Sequence, residues 1–197
     1  MPLRHRKKTV DEVLDFYLSL PARGGQQARF QKTKKQWLEI LERESRGKFS
    51  PYCVLIPRAL RRKGRVHLIE NGIFVSTNFL VCYGMSKRTS VLLSTWVSTI
   101  FFQLICEVSS KDQEGLRKME ISDIKLTYVP DFSITPESLY DALNDAKDSI
   151  SFIDLQSPEI RPVDVMWGEY LFGENYEHIL SDAKNLLSYV ATRRNGD

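Results

Sequence analysis

An α+β fold, with a small mixed or antiparallel sheet, a packed central helix and helical parts at both ends, is predicted by three observations. Between residues 50 and 84, short apolar runs alternate with turn residues, which is the pattern of strands. Residues 92–108 carry a wide apolar stripe at helical spacing. After residue 133 the chain becomes acidic, and helix starts and stops recur. These divisions give a basic helical segment over 1–48, an α/β core over 49–132 and an acidic helical part over 133–197.

The first helix opens on Thr9-Val10-Asp11-Glu12, a capping box, and continues through Val13, Leu14, Tyr17 and Leu18 to Pro21. A second, basic helical stretch over 27–44 places Phe30, Trp37, Ile40 and Leu41 at apolar spacing. Tyr52-Cys53-Val54-Leu55-Ile56, bounded by Pro51 and Pro57, reads as a buried strand. Residues 66–70 and 73–75 flank Asn71-Gly72, a hairpin signal because both central residues of a type I′ turn need positive φ. Phe79 to Tyr83 is a further strand, closed by Gly84.

Thr89 or Ser90 caps the expected central helix, whose stripe is Leu93, Trp96, Val97, Ile100, Phe101, Leu104 and Ile105. Leu116–Ile121 and Leu126–Val129 are expected strands around the Gln113-Glu114-Gly115 turn. Thr135-Pro136-Glu137 supplies a cap, a first-turn proline and an acid at the positive dipole end of the next helix. Helices over 163–172, stopped by Gly173, and over 174–194 complete the chain. Trp37 and Trp96 are expected in the core, and Trp167 over a helix end.

The cysteines, Cys53, Cys82 and Cys106, sit among apolar neighbours without paired spacing and read as buried thiols of a reducing compartment. His5, His67 and His178 are isolated, so no metal site is expected. No signal-peptide core follows the basic start, and the stretch 91–108 is interrupted by Ser94, Thr95, Ser98, Thr99, Gln103 and Glu107. A cytoplasmic location without membrane contact is the expectation.

Charge is distributed unevenly. Residues 1–65 hold 17 Lys and Arg against 6 Asp and Glu, a net of +11, while residues 66–197 hold 11 against 19, a net of −8. Such asymmetry fits a polyanion partner, with double-stranded DNA the first candidate. It also fits a solvated basic surface, or a basic face docked on the chain's own acidic part. Arg58, Arg61, Arg62, Lys63 and Arg65 lie between two expected strands, in a loop or hairpin end able to reach phosphates or guanine edges. Thr77 and Asn78 add polar side chains, and Lys111, Arg117 and Lys118 flank the Gly115 turn. A solubilising loop and simple turns explain the same residues. The 58–65 segment, held between strands, is expected to contribute more to DNA affinity than Arg4, Arg6, Lys7 and Lys8.

No complete catalytic motif is present: there is no glycine-rich phosphate loop, no Pro-Pro pair, no His-Glu-x-x-His and no Gly-x-Ser-x-Gly. No catalytic residue and no cofactor are therefore expected. Asp112 or Glu120 with Asp123 and Lys125 is the nearest approach to a metal-dependent nuclease, and a solvated strand edge and turn explains these residues equally. A pure protein-interaction subunit is the third reading.

Three segments resemble the C-terminal target-recognition region of N6-adenine DNA methyltransferases of restriction–modification systems, including those fused to a nuclease. The first is Val54-Leu55-Ile56-Pro57-Arg58 with the basic segment and Ser76-Thr77-Asn78-Phe79. The second is the helix over 92–108 with Gly115-Leu116-Arg117-Lys118-Met119-Glu120 and the stretch from Asp123 to Val129-Pro130. The third runs from Pro162-Val163-Asp164 through Leu171-Phe172-Gly173 to Arg193-Arg194. The resemblance spans about residues 50–194 and implies a detached DNA-recognition piece, because the methyl-donor pocket and Pro-Pro catalytic loop of that family are missing. A methyltransferase or restriction subunit is the partner it implies.

Overall fold

The computed structural model describes Thr33, Lys35, Gln36, Leu38 and Glu39, and residues 52–60, 62–70, 78–113, 116–125, 127–150 and 152–194. The chain divides into two units, Met1–Lys48 and Phe49–Asp197. In the first, Lys35, Gln36, Leu38 and Glu39 are helical. Thr33 Oγ1 accepts from the Gln36 backbone N–H at 3.3 Å, and Gln36 Oε1 accepts from that of Thr33 at 2.9 Å. This reciprocal cap begins a helix inside the basic 27–44 stretch. The expected helix over 10–20, Trp37 and the basic start lie outside the described residues.

The second unit is α+β, as expected, but its strands form three small antiparallel assemblies. In the first, β1 (Cys53–Pro57) lies between β4 (His67–Ile69) and β5 (Phe79–Cys82). Cys53 to Ile56 are all buried, so β1 is covered on both faces. The second places β7 (Leu116–Lys118) between β2 (Ala59–Leu60) and β6 (Lys111–Gln113). The third is a two-stranded ribbon of β3 (Lys63–Arg65) and β8 (Phe152–Asp154). The expected hairpin partner of β4, residues 73–75, lies outside the described residues.

The central helix is not continuous. It divides into α1 (Lys87–Ser98) and α2 (Ile100–Ser109), bent by 66°. Thr99 adopts an extended conformation, φ −64° and ψ 156°, and its hydroxyl accepts from the Phe102 backbone N–H, so it caps α2. The buried Asp164 carboxylate accepts from the Ile100 N–H at 2.8 Å, and Arg161 donates to the Ser98 carbonyl. Two foreign side chains thus take over backbone groups that a continuous helix would pair internally. The hydroxyls of Ser94, Thr95, Ser98 and Thr99 all donate to carbonyls three or four residues back, which lets these polar side chains lie buried in α1 and at its break. Among the described residues no single helix is long and apolar enough to cross a membrane, although the bent α1–α2 pair passes that test by length and composition together.

The strand expected over 126–129 is not seen in its described part, since residues 127–130 have no regular structure. Before it, α3 (Ile121–Lys125) forms a single turn whose start is held by the Asp123 carboxylate, which accepts from the Glu120 N–H at 2.8 Å. The remaining helices are α4 (Glu137–Ala146), α5 (Pro162–Phe172) and α6 (Tyr176–Arg194), with one-turn 3₁₀ segments at Lys147–Ile150 and Gly173–Asn175. Pro136, not Thr135, is the cap residue of α4. Thr135 instead offers its carbonyl to Arg88, which also pairs with Glu137. Gly173 ends α5 at φ +54°, a value that favours glycine.

One apolar core joins the sheets to these helices, with Trp167, Phe102, Ile56 and Leu180 among its buried members. Trp167 is fully buried, not laid over a helix end, and donates from Nε1 to Thr95 Oγ1 at 3.2 Å. Trp96 packs edge-on against it, with ring centroids 5.6 Å apart, and donates to the Tyr128 carbonyl.

Candidate nucleic-acid interface

The basic segment 58–65 is not a projecting loop. Its backbone is used twice, as β2 paired with β7 and as β3 paired with β8. The buried Leu60, Gly64 and Val66 turn inward, while Ala59, Arg62, Lys63 and Arg65 are exposed. Arg58 is the junction: its N–H donates to the Asn78 carbonyl and its carbonyl accepts from the Met119 N–H, both at 2.8 Å. Three segments distant in sequence therefore meet at one residue. Ala59 lies directly opposite Lys118, so the exposed Lys118 and Asn78 are brought to the same junction as Arg58.

Acidic groups hold this rim without neutralising it. Glu120 lies 4.0 Å from the Arg58 guanidinium and 3.7 Å from the Lys118 ammonium, with all three side chains between 35% and 48% exposed. Arg62 Nε donates to Asp154 Oδ2 at 2.8 Å, yet the Arg62 side chain remains 61% exposed. The Lys63 ammonium stands 5.0 Å from the centre of the Phe152 ring. Phe152, half-exposed on β8, is absent from the sequence-based set because residues 152–154 carry no strand signal of their own. Arg61 and Thr77 lie outside the described residues, as does the side chain of Lys111.

Arg117 must be removed from the set. It is fully buried, and Nη1 donates to Glu107 Oε1 at 3.0 Å while Nη2 donates to Gln103 Oε1 at 2.9 Å. Burial pushes its guanidinium below the usual arginine range. Arg194, from the last turn of α6, meets the other oxygen of Glu107 at 2.9 Å and also donates to the Leu60 carbonyl. Glu107 therefore sits between two arginines, and the knot fastens α2, β2, β7 and α6 together. The sequence did contain a signal: on a strand Arg117 shares its face with Met119, which is 1% exposed, and not with Lys118.

Among the described residues, the constellation weighed as a nuclease centre shows no metal-binding cluster. Asp123 is spent on capping α3, and no three His, Cys, Asp or Glu side chains converge among the described residues. The side chain of Asp112 lies outside them.

The second unit thus sets short strands bearing exposed cations over a packed helical core. Comparison with known proteins then places it. Residues 3–160 match the family described as restriction endonuclease BpuSI, specificity domain, and the chain belongs to that family. The crystal structure of the type IIG restriction endonuclease BpuSI is similar over 93% of this chain and 21% of that one, at 33% identity and a TM-score of 0.74. The chain thus spans about a fifth of that enzyme's length. No curated protein matches the chain. The expected kinship with target-recognition regions of restriction–modification enzymes holds at this level.

Proposed function

We propose that the chain binds duplex DNA and selects its target site for a restriction–modification system, with catalysis supplied by a separate unit of the adenine methyltransferase-like kind. The observation that carries this reading is the junction at Arg58, where β pairing gathers Arg58, Asn78 and Lys118 and orders Arg62, Lys63 and Arg65 along the adjoining strand. Cations fixed on strands lose little freedom on binding and can hold a constant register on the phosphates. The +11 charge of residues 1–65 supplies long-range attraction, and the specificity-domain family supplies the biological setting. The test is an anisotropy titration with duplex DNA across a salt series. Affinity should fall steeply and linearly on logarithmic axes as counterions are released. Absence of binding at low salt would remove the reading. Labelled methyl transfer or magnesium-dependent cleavage by the chain alone would show that no separate catalytic unit is required.

A further inference from the structure

The β3–β8 ribbon has two faces of opposite character. Gly64 and Ile153 are direct cross-strand partners and both are buried. A Cβ on Gly64 would stand 2.9 Å from both Gln103 Oε1 and Ile153 Cγ2, so glycine lets the ribbon backbone lie close to the α2 side chains, and a larger residue would force one of them to shift. The outward face consists of two further direct pairs, Lys63 with Asp154 and Arg65 with Phe152. It therefore presents two cations, one aromatic ring and one carboxylate in fixed register, and Arg62 joins them through Asp154.

Resting on the DNA-binding reading above, we propose that this outward face is the element that reads base edges, with Phe152 as a specificity-determining residue and Asp154 as the positioning residue for Arg62. A two-stranded ribbon fits the major groove of B-form DNA, which is about 12 Å wide. Single exposed apolar side chains are ordinary on protein surfaces. Phe152 differs in being paired opposite Arg65, with Lys63 over its ring, on a ribbon whose other face is packed in the core. Its ring offers the apolar contact that a thymine methyl group requires. Asp154 is itself held: Oδ1 accepts from the Gln156 and Ser157 N–H groups at 3.1 and 3.4 Å, while Oδ2 takes Arg62 Nε. Among the described residues the Arg62 guanidinium is engaged through Nε, so its terminal nitrogens can donate to a guanine edge.

The experiment is selection of binding sites from a random duplex pool with the wild-type chain, Phe152→Ala, Phe152→Tyr and Asp154→Asn, beside anisotropy on the selected and on scrambled duplexes. Wild type should enrich a motif. Phe152→Ala should relax one position, lowering its preference there about tenfold. Phe152→Tyr should keep that preference. Asp154→Asn, nearly isosteric, should relax a different position. If both Phe152→Ala and Asp154→Asn return the wild-type motif unchanged, the ribbon is not the reader, and DNA binding stands without it. If wild type enriches nothing and binds no duplex, the parent reading fails as well. A thermal melt of each variant separates misfolding from lost readout, and the isosteric Asp154→Asn keeps the question open to disproof should Phe152→Ala unfold.

Discussion

Arg117 and Arg62 stand in the same basic inventory of the sequence, yet they occupy opposite environments. Arg117 is sealed beneath β7, shared between Glu107 and Gln103, whereas Arg62 is tethered by one bond to Asp154 and otherwise faces solvent. Both are paired with carboxylates, so pairing does not distinguish them. What distinguishes them is the cost of losing a partner. A buried charge left unpaired keeps its desolvation penalty, whereas an exposed one is reclaimed by water.

That contrast can be broken by mutation, and the largest effect should come from the knot. Arg117→Met leaves Glu107 buried with Arg194 alone, and chemical denaturation should show a loss of about 3 kcal/mol. A change of only a few tenths would mean that Arg194 suffices for Glu107. Gly64→Ala comes next. The new methyl group meets Gln103, the same side chain that holds Arg117, so the overpacking cost of about 1–3 kcal/mol should appear together with displacement of the ribbon. Stability unchanged by this substitution would show that the ribbon can move away from α2.

A titration sharpens the buried side. The Cys106 thiol is pushed up from 9.0 to about 12, chiefly by burial, with Arg117 opposing the rise and Glu107 and Asp123 adding to it. The unfolded thiol ionises above its ordinary value while the folded one does not. The folded state thus binds more protons there, and its stability should fall as pH rises from about 9 to 12, by at most ~1.4 kcal/mol per pH unit. The difference between wild type and Cys106→Ala across that range measures it. Equal slopes would place the thiol in contact with solvent. The smallest stability effect belongs to the surface: Arg62→Ala with Lys63→Ala should shift unfolding by less than about 0.5 kcal/mol while weakening duplex binding and flattening its salt dependence. A larger stability loss would make those residues structural after all.

The sequence revealed what depends on local pattern and hid what depends on distant pairing. β1, β5, α5 and α6 follow from apolar spacing and from Pro57, Gly84 and Gly173, and they lie close to where those signals place them. The break at Thr99 was obscured because the groups that impose it, Arg161 and Asp164, lie more than sixty residues away. β8 was unreadable for the same reason, since Phe152–Asp154 is a strand only through its pairing with Lys63–Arg65. At the candidate site, the basic residues were visible as composition, but their division into inward and outward groups required knowing that 58–65 is strand and not loop. Leu60, Gly64 and Val66, spaced among the cations, are the trace of that division in the sequence. Phe152 had no trace at all.

The strict alternation on the ribbon has a consequence for how such a domain can diverge. Gly64 and Ile153 answer to the core, while Lys63, Arg65 and Phe152 face outward. Substitutions at the second group leave the first untouched, so a lineage can exchange its outward residues one at a time without risking collapse of the scaffold. Related domains carrying the same inward glycine and isoleucine with different outward side chains would then be variants of one reading head, each tuned to its own target.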